Sequence, residues 1–90
     1  MNSYHASKKI EAIIKTEYAD VINSNYGDAP SVFGKDKWRD IGIGGGDGCG
    51  IVWEGFYDWT KPSMMNKYAE ALTGTSFTVF KTDEWMIEIF

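Results

Sequence analysis

Most of the residues that could bind or react lie in one stretch, GIGGGDGCGIVWEGFYDWT, residues 42–60. Its first nine residues include six glycines, and a glycine-rich loop can cradle a phosphate with its backbone N–H groups. The dinucleotide fingerprint needs glycines at positions n, n+2 and n+5, followed by a helix. Starting from Gly42, Gly44, Gly46 or Gly48, the last of these positions falls on Asp47, Cys49, Ile51 or Trp53. A P-loop needs a lysine directly after its glycines, and the next one is Lys61. Both motifs also place the phosphate at a helix N-terminus, whereas CGIVWE alternates like a strand. The glycines therefore predict a hairpin tip, with Gly44, Gly45, Gly46, Asp47 and Gly48 as a loop able to adapt to a partner. Asp47 stands alone among them, so the alternating carboxylates of a calcium loop are missing.

The other reactive groups are sparse. One His (His5) and one Cys (Cys49) are too few ligands for a structural zinc site. Cys49, beside a strand, reads as a small buried hydrophobe rather than a nucleophile. Glu54 and Asp58 could be imagined as a glycosidase pair among sugar-stacking aromatics, but 90 residues leave little room for a deep cleft. The expectation is a protein without catalytic residues, metal or cofactor.

Charge points to the kind of partner. The chain carries a net charge of −4. Residues 1–40 balance six basic against six acidic side chains, while residues 41–90 hold three basic against seven acidic. Phosphate tracking needs clustered Lys and Arg, and the one cluster, Lys35, Lys37 and Arg39, alternates as the solvent face of a strand would. Direct nucleic-acid binding is not expected. A basic partner protein fits the charge better. No apolar run approaches a membrane span, and MNSYHASKKIEAIIK lacks the apolar core of a secretory signal. One cysteine cannot form an intrachain disulfide. The expected location is the cytoplasm.

These residues must be positioned by a small scaffold. Ala6, Ile10, Ile13, Ile14, Tyr18, Val21 and Ile22 trace one face of a helix over residues 4–22, with Ser3 as N-cap and Glu11 and Lys15 paired one turn apart. A loop is expected over Asn23–Pro30. KWRDIGI (37–43) and CGIVWE (49–54) predict a hairpin around the glycines. Thr60 is placed to cap a second helix, with Pro62 in its first turn and Gly74 at a left-handed C-terminal position. TSFTVF and WMIEIF predict two more strands, joined by a turn at KTDE. The expected fold is a single α+β domain, residues 1–90, in the order α-β-β-α-β-β. It has two layers: a four-stranded antiparallel sheet with two helices on one face. The other sheet face is then left to solvent or to a partner.

Fourteen aromatic side chains are many for so short a chain. Phe56, Tyr57 and Trp59 fall in a connection, flanked by Glu54 and Asp58, where rings either close the corner of the core or anchor an interaction. VWEGFYDW resembles a W-E-G-P-[YF]-[ED]-W segment found in small, mostly uncharacterised proteins of bacteriophages and mobile elements. The matching residues are Trp53, Glu54, Gly55, Tyr57, Asp58 and Trp59, with Phe56 in place of the proline. In those proteins too a helix comes first and a short strand ending in an aliphatic-aromatic pair comes last, as in EWMIEIF. The resemblance implies a phage or mobile-element origin and no catalytic residues. In general character, small and acidic without a cofactor site, the chain is also similar to anti-CRISPR and other anti-defence proteins.

The leading expectation is thus a small acidic inhibitor or adaptor that docks on a larger, basic, nucleic-acid-handling host complex in the cytoplasm of a bacterial host. Its partner-binding residues would be Glu54, Phe56, Tyr57, Asp58, Trp59, Asp83, Glu84 and Glu88. The alternatives are a module stacking a sugar or base on the aromatic corner, and a structural subunit that self-associates as a homodimer through its sheet edge or exposed face.

Overall fold

A computed structural model describes residues 2–24, 30–33 and 48–90. The first helical face is interrupted: α1 (Ser3–Glu17) and α2 (Ala19–Ser24) meet at Tyr18, whose backbone leaves the helical region at φ −118°, ψ 28°. The carbonyl of Tyr18 still accepts from the Ile22 amide, at 3.0 Å, so the apolar stripe continues across the break. Among the described residues, three α-helices therefore stand where two were expected. The N-cap is Asn2, not Ser3: its Oδ1 accepts the His5 amide at 2.9 Å, satisfying one of the orphan donors of the first turn. Ser3 is already helical, and its carbonyl accepts the Ser7 hydroxyl at 2.8 Å. Glu11 lies 3.6 Å from Lys15, as its spacing predicts, and 2.7 Å from Lys8.

The sheet contains β1 (Ser31–Phe33), β2 (Cys49–Val52), β3 (Val79–Asp83) and β4 (Met86–Ile89). Its spatial order is β1-β2-β4-β3, and all three pairings are antiparallel. The chain is α+β, as its patterning predicts. The strand preceding β2 in sequence is Ser31–Phe33, which follows Pro30. The expected strand over residues 37–43 lies outside the described residues, and both sides of β2 are taken by β1 and β4. β3 also sits later than TSFTVF predicts. A bulge between Lys81 and Asp83 carries the strand through KTD, so the chain reverses at Glu84 and Trp85.

Register assigns the faces. Ile51 lies opposite Ile87 and Val32, Cys49 opposite Ile89, and Val79 opposite Ile89. Opposed residues of an antiparallel pair share a face. That inner face packs on Ala6, Ile10 and Ile14 of α1 and on Met64 and Tyr68 of α3 (Pro62–Ala71). Both long helices therefore cover the same side. Thr60 does not cap α3 through its side chain; Lys61 occupies that position without a side-chain bond, and Pro62 opens the helix. Past its end, Gly74 takes φ +85°, the left-handed conformation expected of it.

Candidate interaction surface

The corner that follows β2 is built from the inside out. Gly55 adopts φ +85° and turns the chain back on itself. Phe56 then returns to the core, its ring centroid 4.8 Å from Trp53 and 5.3 Å from Tyr18. Trp59, in the short 3-10 turn Asp58–Thr60, is wholly buried. Its Nε1 donates to the Trp53 carbonyl at 3.3 Å, and its own carbonyl accepts the Tyr68 hydroxyl at 2.6 Å. The expectation of Trp59 as a surface anchor is therefore corrected: burying the indole satisfies both its polar groups and fills the space between α3 and the sheet. Phe56 is corrected in the same direction, since it packs against the core as a partly buried ring. Tyr57 points out, 48% exposed.

A second set of contacts fastens this corner to the β3–β4 turn. The buried Thr60 hydroxyl lies 2.8 Å from the Glu84 carbonyl and 3.1 Å from that of Tyr57. The Trp53 amide donates to the Trp85 carbonyl at 3.0 Å. The Asp83 carboxylate accepts the Glu84 amide at 2.7 Å. Glu54, Tyr57, Asp58, Asp83 and Glu84, all exposed, thus share one end of the sheet. Asp58 pairs with Lys61 at 3.0 Å and accepts the Tyr18 hydroxyl at 2.9 Å. The lysine first, and the phenol second, hold its carboxyl below the usual aspartate range. Burial pushes the Tyr18 and Tyr68 hydroxyls up, so both stay protonated and act as donors.

Glu88 does not join this end. It lies opposite Gly50 and Phe80, on the outer sheet face. Gly48 is not part of an adaptable rim: it is buried, and a Cβ there would stand 2.1 Å from the Ile89 carbonyl oxygen. It is a point of close backbone approach. Gly44, Gly45, Gly46 and Asp47 lie outside the described residues.

Sequence reasoning missed Phe80 and its neighbour Phe90, which are 52% and 38% exposed and meet edge to face at 5.9 Å. The alternation of WMIEIF already separates Phe90 from the inner face; the displaced start of β3 hides Phe80 in the sequence.

Among the described residues, no three His, Cys, Asp or Glu side chains are grouped to hold a metal ion. Cys49 is buried, with its sulfur 3.6 Å from the Ser3 hydroxyl. A groove of about 360 Å³ beside α1 is lined by Ala12, Ile13, Thr16, Glu17 and Lys67. Its two charged groups pair with each other, Lys67 with Glu17. No helix among the described residues is long and apolar enough to cross a membrane. No family model, curated protein or solved structure matches the chain.

Proposed function

We propose that the protein is a non-catalytic interaction module that binds a larger, basic host protein complex and modulates it. The observation that carries this reading is the exposed Tyr57 ring, set among Glu54, Asp58, Asp83 and Glu84 on a platform fixed from below by Thr60 and Trp59. Aromatic anchors held rigidly at low entropy cost are typical of binding hot spots. The acidic rim supplies steering and selects a basic partner. In the segment that resembles phage and mobile-element proteins, Trp53, Gly55 and Trp59 build the corner, while Glu54, Tyr57 and Asp58 are displayed by it. That division suits an anti-defence role of the anti-CRISPR kind, acting in the cytoplasm of a bacterial host.

The competing reading, a module that stacks a sugar or base on the corner, would have, among the described residues, only Tyr57 as an exposed ring there. The test is capture of the tagged chain from a bacterial lysate, alongside Tyr57→Ala and Glu84→Lys. The expected result is a stoichiometric complex that weakens as salt rises and is lost in both variants without a change in melting temperature. Undiminished capture by both variants overturns the assignment.

A further inference from the structure

β3 is the last strand of the sheet order, and Phe80, Lys81, Thr82 and Asp83 are all exposed. Its hydrogen-bonding direction follows from one pair. Thr78 and Phe90 exchange both backbone bonds, at 2.8 and 3.0 Å. Bonded and non-bonded pairs alternate along an antiparallel ladder. Phe80, opposite Glu88, therefore turns its N–H and C=O toward β4, while Val79 and Lys81 turn theirs outward, off the sheet edge.

We infer that β3 pairs antiparallel with β3 of a second copy, about a twofold axis through Phe80, giving one continuous eight-stranded sheet. This interface is separate from the acidic end and does not depend on the reading given for it. A twofold axis perpendicular to the sheet keeps outer face with outer face, so the axis must pass through a residue facing itself. Three centres are available. Centring on Lys81 sets two ammonium groups directly opposite, which destabilises a strand pair. Centring on Val79 calls on Phe77 to continue the ladder, but the Phe77 amide already donates to the Thr75 hydroxyl at 3.2 Å.

Centring on Phe80 meets neither obstacle. Val79 of each copy exchanges N–H and C=O with Lys81 of the other, and Phe80 faces its counterpart in a non-hydrogen-bonded pair, where side chains come closest. The edge-to-face contact of Phe80 and Phe90 then extends into a ladder of four rings across the outer face. Each Lys81 lies beside Val79 of the other copy, its stem on the apolar side chain and its ammonium in water. The bulge after Lys81 ends the pairing, which sets the interface at a few residues.

The full chain would be followed by sedimentation equilibrium and amide hydrogen exchange over a concentration series. Single-thiol variants Phe80→Cys and Lys81→Cys, each with Cys49→Ala, would be oxidised in parallel. The expected result is a mass that doubles with concentration and slower exchange at the Val79 and Lys81 amides, with Phe80 unchanged. Phe80→Cys should be trapped as a covalent dimer and Lys81→Cys should not, because only the former brings its Cβ atoms within bridging range across the axis. A monomer at every soluble concentration overturns the proposal, as does a dimer that survives Phe80→Lys. Preferential trapping at Lys81→Cys overturns the register. Protection of the same amides only on adding a foreign extended peptide would give the edge to a different partner and also overturn it.

Discussion

The Tyr18 hydroxyl donates to the Asp58 carboxylate at 2.9 Å and lies 3.1 Å from the Asp58 carbonyl, joining the break between α1 and α2 to the 3-10 turn forty residues away. The same tyrosine packs edge-on against Trp53 and Phe56. One residue thus closes the core on its ring side and positions the acidic end on its hydroxyl side.

Tyr18→Phe keeps the ring and removes that bond, with an expected loss of about 1 kcal/mol. The pH dependence follows from Asp58, whose carboxyl titrates below the usual range. A depressed folded pKa contributes stability that is present above the ordinary aspartate value and lost as pH falls through the folded one. The gap between parent and Tyr18→Phe should therefore hold at neutral pH and narrow below about pH 4, the ordinary aspartate range. Lys61→Ala should show the same narrowing more strongly, because the lysine is the larger cause. Urea titrations at several pH values measure both, and a gap that widens in acid would reverse the assignment.

Tyr57 and Trp59 separate structure from display. Trp59→Ala should cost about 3–5 kcal/mol, the usual range for emptying a buried aromatic site. That is a large share of a margin of roughly 5–15 kcal/mol for a folded domain. Tyr57→Ala, at an exposed position, should stay within about 0.5 kcal/mol of the parent. Thermal melts distinguish them, and a large loss from Tyr57→Ala would move that ring into the core.

The sequence made the scaffold readable wherever a period could be counted. Ile10 and Ile14 on one helical stripe, and Ile87 and Ile89 on alternate strand positions, are all fully buried. Three features escaped for physical reasons. β1 has three residues, fewer than any alternation can mark. The bulge after Lys81 shifts β3 without altering composition. Between Gly55 and Thr60 no period operates, and the chain turns through the positive φ of Gly55. The same six residues could have displayed Trp59 or buried it; only the bond from its indole to the Trp53 carbonyl and the Tyr68 bond to its own carbonyl distinguish these outcomes.

Thr60 tests how the acidic end is fastened. Its side chain is buried, and Thr60→Val keeps the shape while removing the donor shared by the Glu84 and Tyr57 carbonyls. Leaving a buried acceptor unpaired costs about 1–3 kcal/mol. Hydrogen exchange at the Trp53 amide, which bonds the neighbouring Trp85 carbonyl, should accelerate more than at α1 amides. Uniform acceleration would show that the turn does not open separately from the rest.

Trp53 and Trp59 offer a matched comparison, since their rings lie 6.3 Å apart in the same buried cluster. The Trp59 indole N–H has an acceptor; that of Trp53 is buried with none. Replacing either by Phe deletes similar volume and leaves a similar void. Trp59→Phe also strips the Trp53 carbonyl of its indole donor, whereas Trp53→Phe removes an unsatisfied group and leaves that carbonyl paired. Trp59→Phe should therefore be the less stable variant by about 1–3 kcal/mol. The measurement is the urea midpoint at unchanged m-value, which isolates stability from changes in the unfolded chain. Equal midpoints would mean that the indole–carbonyl bond contributes nothing, and the corner would then be held by ring packing alone.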